Sequence, residues 1–561
     1  MLLQGSSLTH LKNLKTTKYI LIPSAIFLFF FALIYSPAIQ GHYLANEDYS
    51  LLWTSDQLGV DKESFASYIP TIQIEGRPLE TLYYYIIFNK YINLLKSYEP
   101  VNTVRFIGII GIGLLAFVLF LIFIENKFKT DHAVFLSILI CTLPPFQIYL
   151  GQIICVVFIF SVLLSGLSIL ILFKAVFKED KGGKANMMIV VPMAMVLLIA
   201  SLLIYPPTAM TYWAMALIPL IMIKDEDVIN KRRLLCTIFS TGVASMIIFF
   251  IGIKTMYLLM NTKMVERSAL ISVAAIYPKI LWFITNPLYT SLNLWNIVRS
   301  KEVGLFVSTV IFGGILYGFG RVVLQIMVEK KGAYLLWNSL FRYLLVLILI
   351  PLSYSSNLVV MGHPIGPSPE HRTLIGPEII VILLFYWGLM NIAEFFKSAL
   401  NFSANQQKKI VTILLVILTV VTAFLANHNI DKYFVKQLTD EYVYVKDIIN
   451  EYGVSKLSQV SKIYIIKKKN KNCLIPSEFF RTFTIGGSAG RSLVNLVLYE
   501  LGMKSNNIPI TYIIDSASIP SYIHPGDEDA LIIDMSKKNK FPFHEDENIL
   551  IIDMSKYKFS Y

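Results

Sequence analysis

The sequence predicts a polytopic α-helical membrane protein carrying a small α/β domain in its C-terminal part. Three observations carry that prediction. Of 561 residues, 55% are hydrophobic and only 15% charged, whereas soluble globular chains have about 45–50% apolar and about 25% charged residues. The apolar residues are gathered into runs of about 20, the length a helix needs to cross a hydrocarbon core. Basic residues collect between alternate runs. The same composition excludes intrinsic disorder, collagen and a disulfide-stapled scaffold. The net charge of +12 is explained by topology, so nucleic acid is not expected as a partner.

On the length rule the chain reads as about eleven spans, at 19–39, 104–124, 132–150, 152–173, 187–204, 207–223, 234–258, 303–327, 334–356, 373–396 and 410–426. Pro144-Pro145 and Pro206-Pro207 divide the runs 132–173 and 187–223, each of which reads either as two spans or as one kinked helix. Ser36-Pro37-Ala38 loosely resembles a signal cleavage site, but the preceding apolar stretch exceeds the usual length of about 7–15 residues, so it is read as a retained span.

Charge sets the orientation. With Lys12, Lys15 and Lys18 cytoplasmic, the alternation also puts inside Lys127/Lys129, Lys174/Lys178/Lys181/Lys184, Lys224/Lys231/Arg232/Arg233, Lys330/Lys331 and Lys397/Lys408/Lys409. The short connections near 144–151 and 205–207 then lie outside without a basic residue. Both facts fit the positive-inside rule. An odd span count sends the tail to the outer face.

Residues 1–426 are thus expected as a transmembrane domain with a long outer loop at 40–103, and residues 427–561 as an extracytoplasmic α/β domain. Within the loop, 79–95 has the pattern of a helix lying in the interface. Residues 259–302, with Trp282, Tyr289, Trp295, Pro278 and Pro287, read as interfacial or re-entrant helices. The tail opens with a helix at 430–451, then shows strand-like runs at 462–467, 508–514, 531–535 and 549–554 and a helical run near 490–502. It repeats LIIDMSK at 531–537 and 550–556, as two similar strands pairing in one sheet would.

Chemistry is expected on the outer face. Glu47-Asp48 follows the first span; carboxylates at a membrane surface can accept a proton from a hydroxyl or hold a divalent cation. In Gly76-Arg77-Pro78-Leu79 the Gly and Pro fix the backbone and leave Arg77, a guanidinium fork suited to phosphate oxygens, near the headgroup level. Tyr205-Pro206-Pro207 sets Tyr205 at the outer end of a helix. The Pro-rich segment 361–372 brings Glu370, His371 and Arg372 to the mouth of the next span, where polar groups are costly unless paired or functional. Each feature has a plainer reading: a solvated turn, a headgroup anchor, a helical hairpin, a snorkelling Arg.

Cys141, Cys155 and Cys236 lie in apolar runs and Cys473 stands alone, so no thiol framework is formed. His363 and His371 lack metal-ligand spacing. P-loop, G-x-S-x-G and H-E-x-x-H motifs are absent from the sequence, and Gly486-Gly487-Ser488-Ala489-Gly490 lacks the Lys-Ser/Thr of a Walker motif.

The order of these features resembles the serotype-converting O-antigen glucosyltransferases of bacteria and their phages, in the GT-C class of membrane glycosyltransferases. The resemblance runs through Glu47-Asp48, Gly76-Arg77-Pro78-Leu79, the Pro144-Pro145 turn, Tyr205 and Arg372 to an extended tail. It is strongest over 44–80 and weakest over 427–561. The chain departs from the family in carrying Glu47 where Asp is common and Pro206 where Gln is frequent.

What the resemblance implies is transfer of a hexose, glucose by preference, from an undecaprenyl-phosphate-linked donor to a surface polysaccharide such as O-antigen. The implied location is the bacterial inner membrane, with a companion flippase and donor synthase. Asp48, with Glu47, would be catalytic; Arg77, Arg372, Tyr205, His371 and Glu370 would bind substrate. No cofactor is implied beyond an optional divalent cation.

Two other readings remain at this level: a transporter or flippase of lipid-linked glycans, and an O-antigen polymerase or ligase. Transport calls for ionisable residues near mid-membrane facing a pathway. Lys254 and Arg342 are the two candidates for that role.

Overall fold

The computed structural model describes residues 22–41, 43–45, 48, 76–87, 99–177, 183–228, 231–261, 269–298, 300–329, 332–360, 370–401, 403–457, 460 and 462–466. In the tail it further describes 493, 494, 497, 498, 500, 501, 510–515, 531–533 and 549–553. The helices used below are α1 (Ile22–Ile34), α2 (Ser36–Gln40), α3 (Pro78–Tyr84), α4 (Glu99–Glu125), α5 (Thr130–Cys141), α6 (Pro144–Gly151), α7 (Val156–Phe177) and α8 (Gly183–Ile204). They continue with α9 (Arg232–Leu259), α10 (Lys301–Glu329), α11 (Ala333–Leu352), α12 (Ile375–Leu400), α13 (Ala404–Asn429) and α14 (Gln437–Tyr452).

Among the described residues, eight helices are long and apolar enough to cross a membrane. This is a polytopic helical membrane protein. Those eight overlap eight of the segments expected from the sequence. The other three differ for local reasons. Expected span 132–150 is the pair α5–α6, bent by 52° where Pro144 cannot supply an N–H to continue the helix. Expected span 207–223 is three short helices, Pro206–Ala209, Thr211–Met215 and Leu217–Met222. The last of these contains Pro219. Expected span 19–39 is represented by α1 and α2, with a break at Tyr35 ahead of Pro37.

The helix α7 lies at the centre, with 78% of its apolar window buried against 28% for α10. Around it, α4 and α8 pack closely because small residues let backbones approach: Gly108 and Gly111 of α4 face Val156, Ile159 and Phe160 of α7. A hydroxyl network fastens α7 to the C-terminal end of α8. Ser161 Oγ lies 2.8 Å from Ser201 Oγ, and Thr208 Oγ1 lies 2.7 Å from Ser161 Oγ and 2.8 Å from the Tyr205 carbonyl, its one proton shared between them. The turn bearing Tyr205 is therefore held from two helices.

The segment 259–302 contains helix Ile276–Phe283 followed by a π-helical turn, Ile284–Leu288, that accommodates Pro287. Ile276, Tyr277, Ile280, Leu281 and Ile284 are exposed along it, the apolar face an interfacial helix presents to lipid. Trp295 instead turns inward and donates to the Leu139 carbonyl at 3.0 Å. Of the expected interfacial helix at 79–95, α3 and a π-helical continuation to Ile87 are described, and 88–95 lie outside the described residues.

The chain does not break at 427: one helical stretch runs from Asn405 to Tyr452. Its 48 residues make a rod of about 72 Å, far longer than a bilayer core. Beyond it is a parallel four-stranded sheet of order β3-β2-β1-β4, made of β1 (Lys462–Ile466), β2 (Ile510–Asp515), β3 (Leu531–Ile533) and β4 (Ile549–Asp553). The repeated LIID segments do share this sheet, but at its opposite edges; they pair with β2 and β1 and not with each other. In the strand order, β2 and β1 lie between the two copies. The Gly486–Gly490 segment lies outside the described residues.

Candidate functional site

The expected outer-face residues fall on two flanks of α3. Gly76 has φ +65°, a left-handed conformation that glycine adopts without steric cost, and a β-carbon there would come within 3.3 Å of the Tyr257 hydroxyl on α9. Pro78 occupies the first turn of α3, where its missing N–H is harmless. Between them the Arg77 guanidinium reaches Glu80 Oε2 at 3.2 Å and lies over the Tyr205 ring, 4.5 Å from its centroid. The other Glu80 oxygen accepts from the Tyr84 hydroxyl at 2.6 Å.

Tyr205 is sandwiched. Its other neighbour is Phe158 of α7, stacked at 4.1 Å and 12°. The Tyr149 ring meets Phe158 edge-on, and its hydroxyl donates to the Arg372 carbonyl at 2.6 Å. Arg372 Nε in turn donates to Glu370 Oε2 at 2.5 Å. Burial pushes the Tyr205 phenol up, while the nearby Arg372 and Arg77 guanidinium groups pull the other way. Two arginines, two carboxylates and an aromatic platform thus share one small region. They come from α3, the 205–206 turn and the stretch before α12.

The second flank holds Asp48. Its side chain is fully buried; Oδ2 accepts from the Ala45 N–H at 2.9 Å and Oδ1 from the Ile154 N–H at 3.1 Å. Burial raises the carboxyl pKa above its ordinary value, opposed by Arg105 and by the backbone donors of Ala45, Ile154 and Ile153. Tyr83 of α3 joins the two flanks: its hydroxyl donates to the Ile153 carbonyl at 2.6 Å, next to the amide that holds Asp48.

Arg105 supports this flank from α4. It donates to the Tyr43 carbonyl at 2.9 Å and stacks 3.7 Å from the Tyr43 ring centroid. Burial pushes the Tyr43 phenol up to about 12.

The structure brings together Arg77, Tyr205, Glu370 and Arg372, with Asp48 across α3 from them. His371 turns away: it is buried, with Nδ1 3.4 Å from Glu378 Oε1. Glu47, His363 and the segment 361–369 lie outside the described residues. Among the described residues no group of three or more His, Cys, Asp or Glu side chains is arranged to hold a metal ion.

Sequence reasoning missed Arg105, Glu80, Tyr83, Tyr84, Tyr149 and Tyr257. Glu80 and Tyr84 had a readable signal in their i+3 and i+7 spacing from Arg77 on one helix face. The others depend on contacts far along the chain. No protein-family model matches the chain, and no curated protein matches it in sequence.

Proposed function

We propose that the chain is a GT-C-like membrane glycosyltransferase. It transfers a hexose, glucose by preference, from a polyprenyl-phosphate carrier to a surface glycan. The observation that carries this reading is the pairing of a two-arginine cluster around Tyr205 with a buried carboxylate of raised pKa, across one short helix. The orientation that goes with it has the N-terminus in the cytoplasm of a bacterial cell, the site on the outer face and the α/β tail outside.

In this mechanism the donor phosphate sits at headgroup level against Arg77 and Arg372. The acceptor hydroxyl oxygen attacks the anomeric carbon as the bond from that carbon to the phosphate oxygen breaks. The acceptor proton passes to Asp48, and the carrier leaves as polyprenyl phosphate, its extra negative charge met by the arginines. A single displacement inverts the anomeric configuration. A pKa raised above the ordinary carboxylate value makes Asp48 a stronger base for that proton, and Glu370 and Glu80 keep the two guanidinium groups oriented.

Against the transporter reading stand the surroundings of its two candidate charges. Arg342 is paired with Asp225, and Lys254 is exposed within about two turns of the end of α9, where a long side chain can snorkel. The test is transfer of label from a panel of polyprenyl-phosphate hexoses into host surface glycan by membranes containing the protein. Incorporation of one hexose is expected. Failure across the whole panel, with lipid-linked glycan crossing the bilayer instead, would establish transport.

A further inference from the structure

A second polar site lies at the end of the bundle opposite Arg77, between α10 and α12. These two helices touch backbone to backbone where Gly314 meets Gly388. Toward the Lys/Arg-bearing end they part, and a cleft of about 380 Å³ opens, lined by Tyr317, Arg321, Glu394, Lys397, Ser398 and Asn401. The ion pair between Arg321 Nη1 and Glu394 Oε1, 2.7 Å long, bridges it with both side chains about 40% exposed.

The depth of this pair is informative. Helix α10 has 29 residues, about 43 Å of length against a core of about 30 Å. Arg321 lies eight residues before its end at Glu329, or about 12 Å inward. A centred helix therefore carries Arg321 about 5 Å inside the hydrocarbon boundary.

The neighbours agree with that level: Leu316, Leu324, Phe395 and Phe396 are exposed as lipid-facing groups. An exposed Arg–Glu pair at this depth is costly unless polar groups follow it in. The cleft also carries a surplus positive charge, because Glu394 offsets only one of Arg321 and Lys397. Lys397 stands in the last turn of α12, and Asn401 caps that helix in the left-handed conformation.

We infer that the cleft between α10 and α12 binds the phosphate of one anionic phospholipid. Arg321 and Lys397 hold the phosphate oxygens, and the acyl chains lie along the exposed apolar faces of the two helices. Basic pockets between membrane helices suit phospholipid headgroups on electrostatic grounds. This inference requires only that the bundle sit in a bilayer, and it is independent of the transferase reading.

The test uses the full chain purified in detergent and examined by native mass spectrometry. Phosphatidylglycerol is added in one arm and phosphatidylcholine of the same acyl chains in another. Wild type is expected to retain one phosphatidylglycerol in preference to phosphatidylcholine. The Lys397→Gln change, which removes no ion pair of the described residues, should cut that preference about fivefold, and adding Arg321→Gln should cut it about fivefold again.

Equal retention of the two lipids by wild type would overturn the inference. So would a preference that survives both substitutions. A third arm adds inorganic phosphate: lipid retained at millimolar phosphate supports the phospholipid, and lipid displaced by it would assign the cleft to a soluble anion instead. The Lys397→Gln protein, which keeps the Arg321–Glu394 bridge, guards against a loss of binding that merely reports misfolding.

Discussion

Two arginine sites, at opposite ends of the bundle, use the same chemical groups to opposite effect. At the basic end Arg342 of α11 donates to Asp225 Oδ1 at 2.9 Å and to the Ile221 carbonyl at 2.8 Å, and stacks 4.6 Å from the Trp387 ring. Only 7% of its side chain is exposed. At the other end Arg77 and Arg372 also have a carboxylate and an aromatic ring nearby, yet keep 25% and 22% exposure. The first arrangement is closed and ties α11 to the turn at 225–227 and to α12. The second leaves about a quarter of each arginine side chain exposed, between elements that come from distant parts of the chain. Residue type does not separate the two; side-chain exposure does.

The comparison can be broken in order of effect. Asp48→Asn, measured at equal abundance, should lower transfer about 10²–10⁴-fold, the range for losing a general base. Arg77→Gln or Arg372→Gln should lower it about 10²–10³-fold by removing stabilisation of the leaving phosphate; for Arg372→Gln, whose partner Glu370 is 42% exposed, little change in thermal stability is expected. Arg342→Met should do the reverse: leaving Asp225 unpaired costs about 3–5 kcal/mol and lowers the melting temperature in detergent. The Arg342→Met/Asp225→Leu pair should recover most of that loss. If Arg342→Met instead abolished transfer in protein of normal stability, the division between the two ends would be wrong.

A smaller effect is expected in the pH dependence. Asp48 is a carboxylate whose folded-state pKa is raised. As the proposed base, Asp48 would act in its ionised form, which accumulates only as pH rises through that value, so the acid limb of the rate profile should lie above that of an unperturbed carboxylate. The same sign means that its contribution to stability is full at acid pH and is lost as pH rises through the raised pKa. Arg105→Gln removes a charge that lowers this pKa, so the limb should move further up; Arg105→Lys should hold it nearer its place. The smallest effect is expected for Tyr205→Phe, which keeps the ring under Arg77. Tyr205→Ala removes the stacking and should weaken donor binding by about 0.5–2 kcal/mol.

Much of this architecture is legible from local pattern. Continuous apolar runs give α4, α7 and α10 to within a few residues. Gly76 and Pro78 announce the backbone turn that presents Arg77. Where the pattern fails, a local property had to compete with something distant. The apolar stretch 207–223 has the composition of a span, but Pro206-Pro207 and Pro219 divide its hydrogen-bond ladder. Arg105 reads in sequence as one charge near the start of a membrane helix; its role depends on the Tyr43 carbonyl, 62 residues away. His371 and Arg372 are adjacent in sequence and both look available, yet His371 faces Glu378. The LIID repeat reads in sequence as two strands pairing with each other, whereas β2 and β1 lie between them.

The most direct test of the two-flank site measures donor binding and transfer side by side, using labelled polyprenyl-phosphate glucose, or the hexose the panel selects. Purified wild type is compared with Asp48→Asn and Arg77→Gln. Asp48→Asn is expected to bind the donor like wild type but scarcely to transfer it, whereas Arg77→Gln is expected to lose both. Equal loss of donor binding in the two variants, or transfer by Asp48→Asn at the wild-type rate, would contradict the two-flank site.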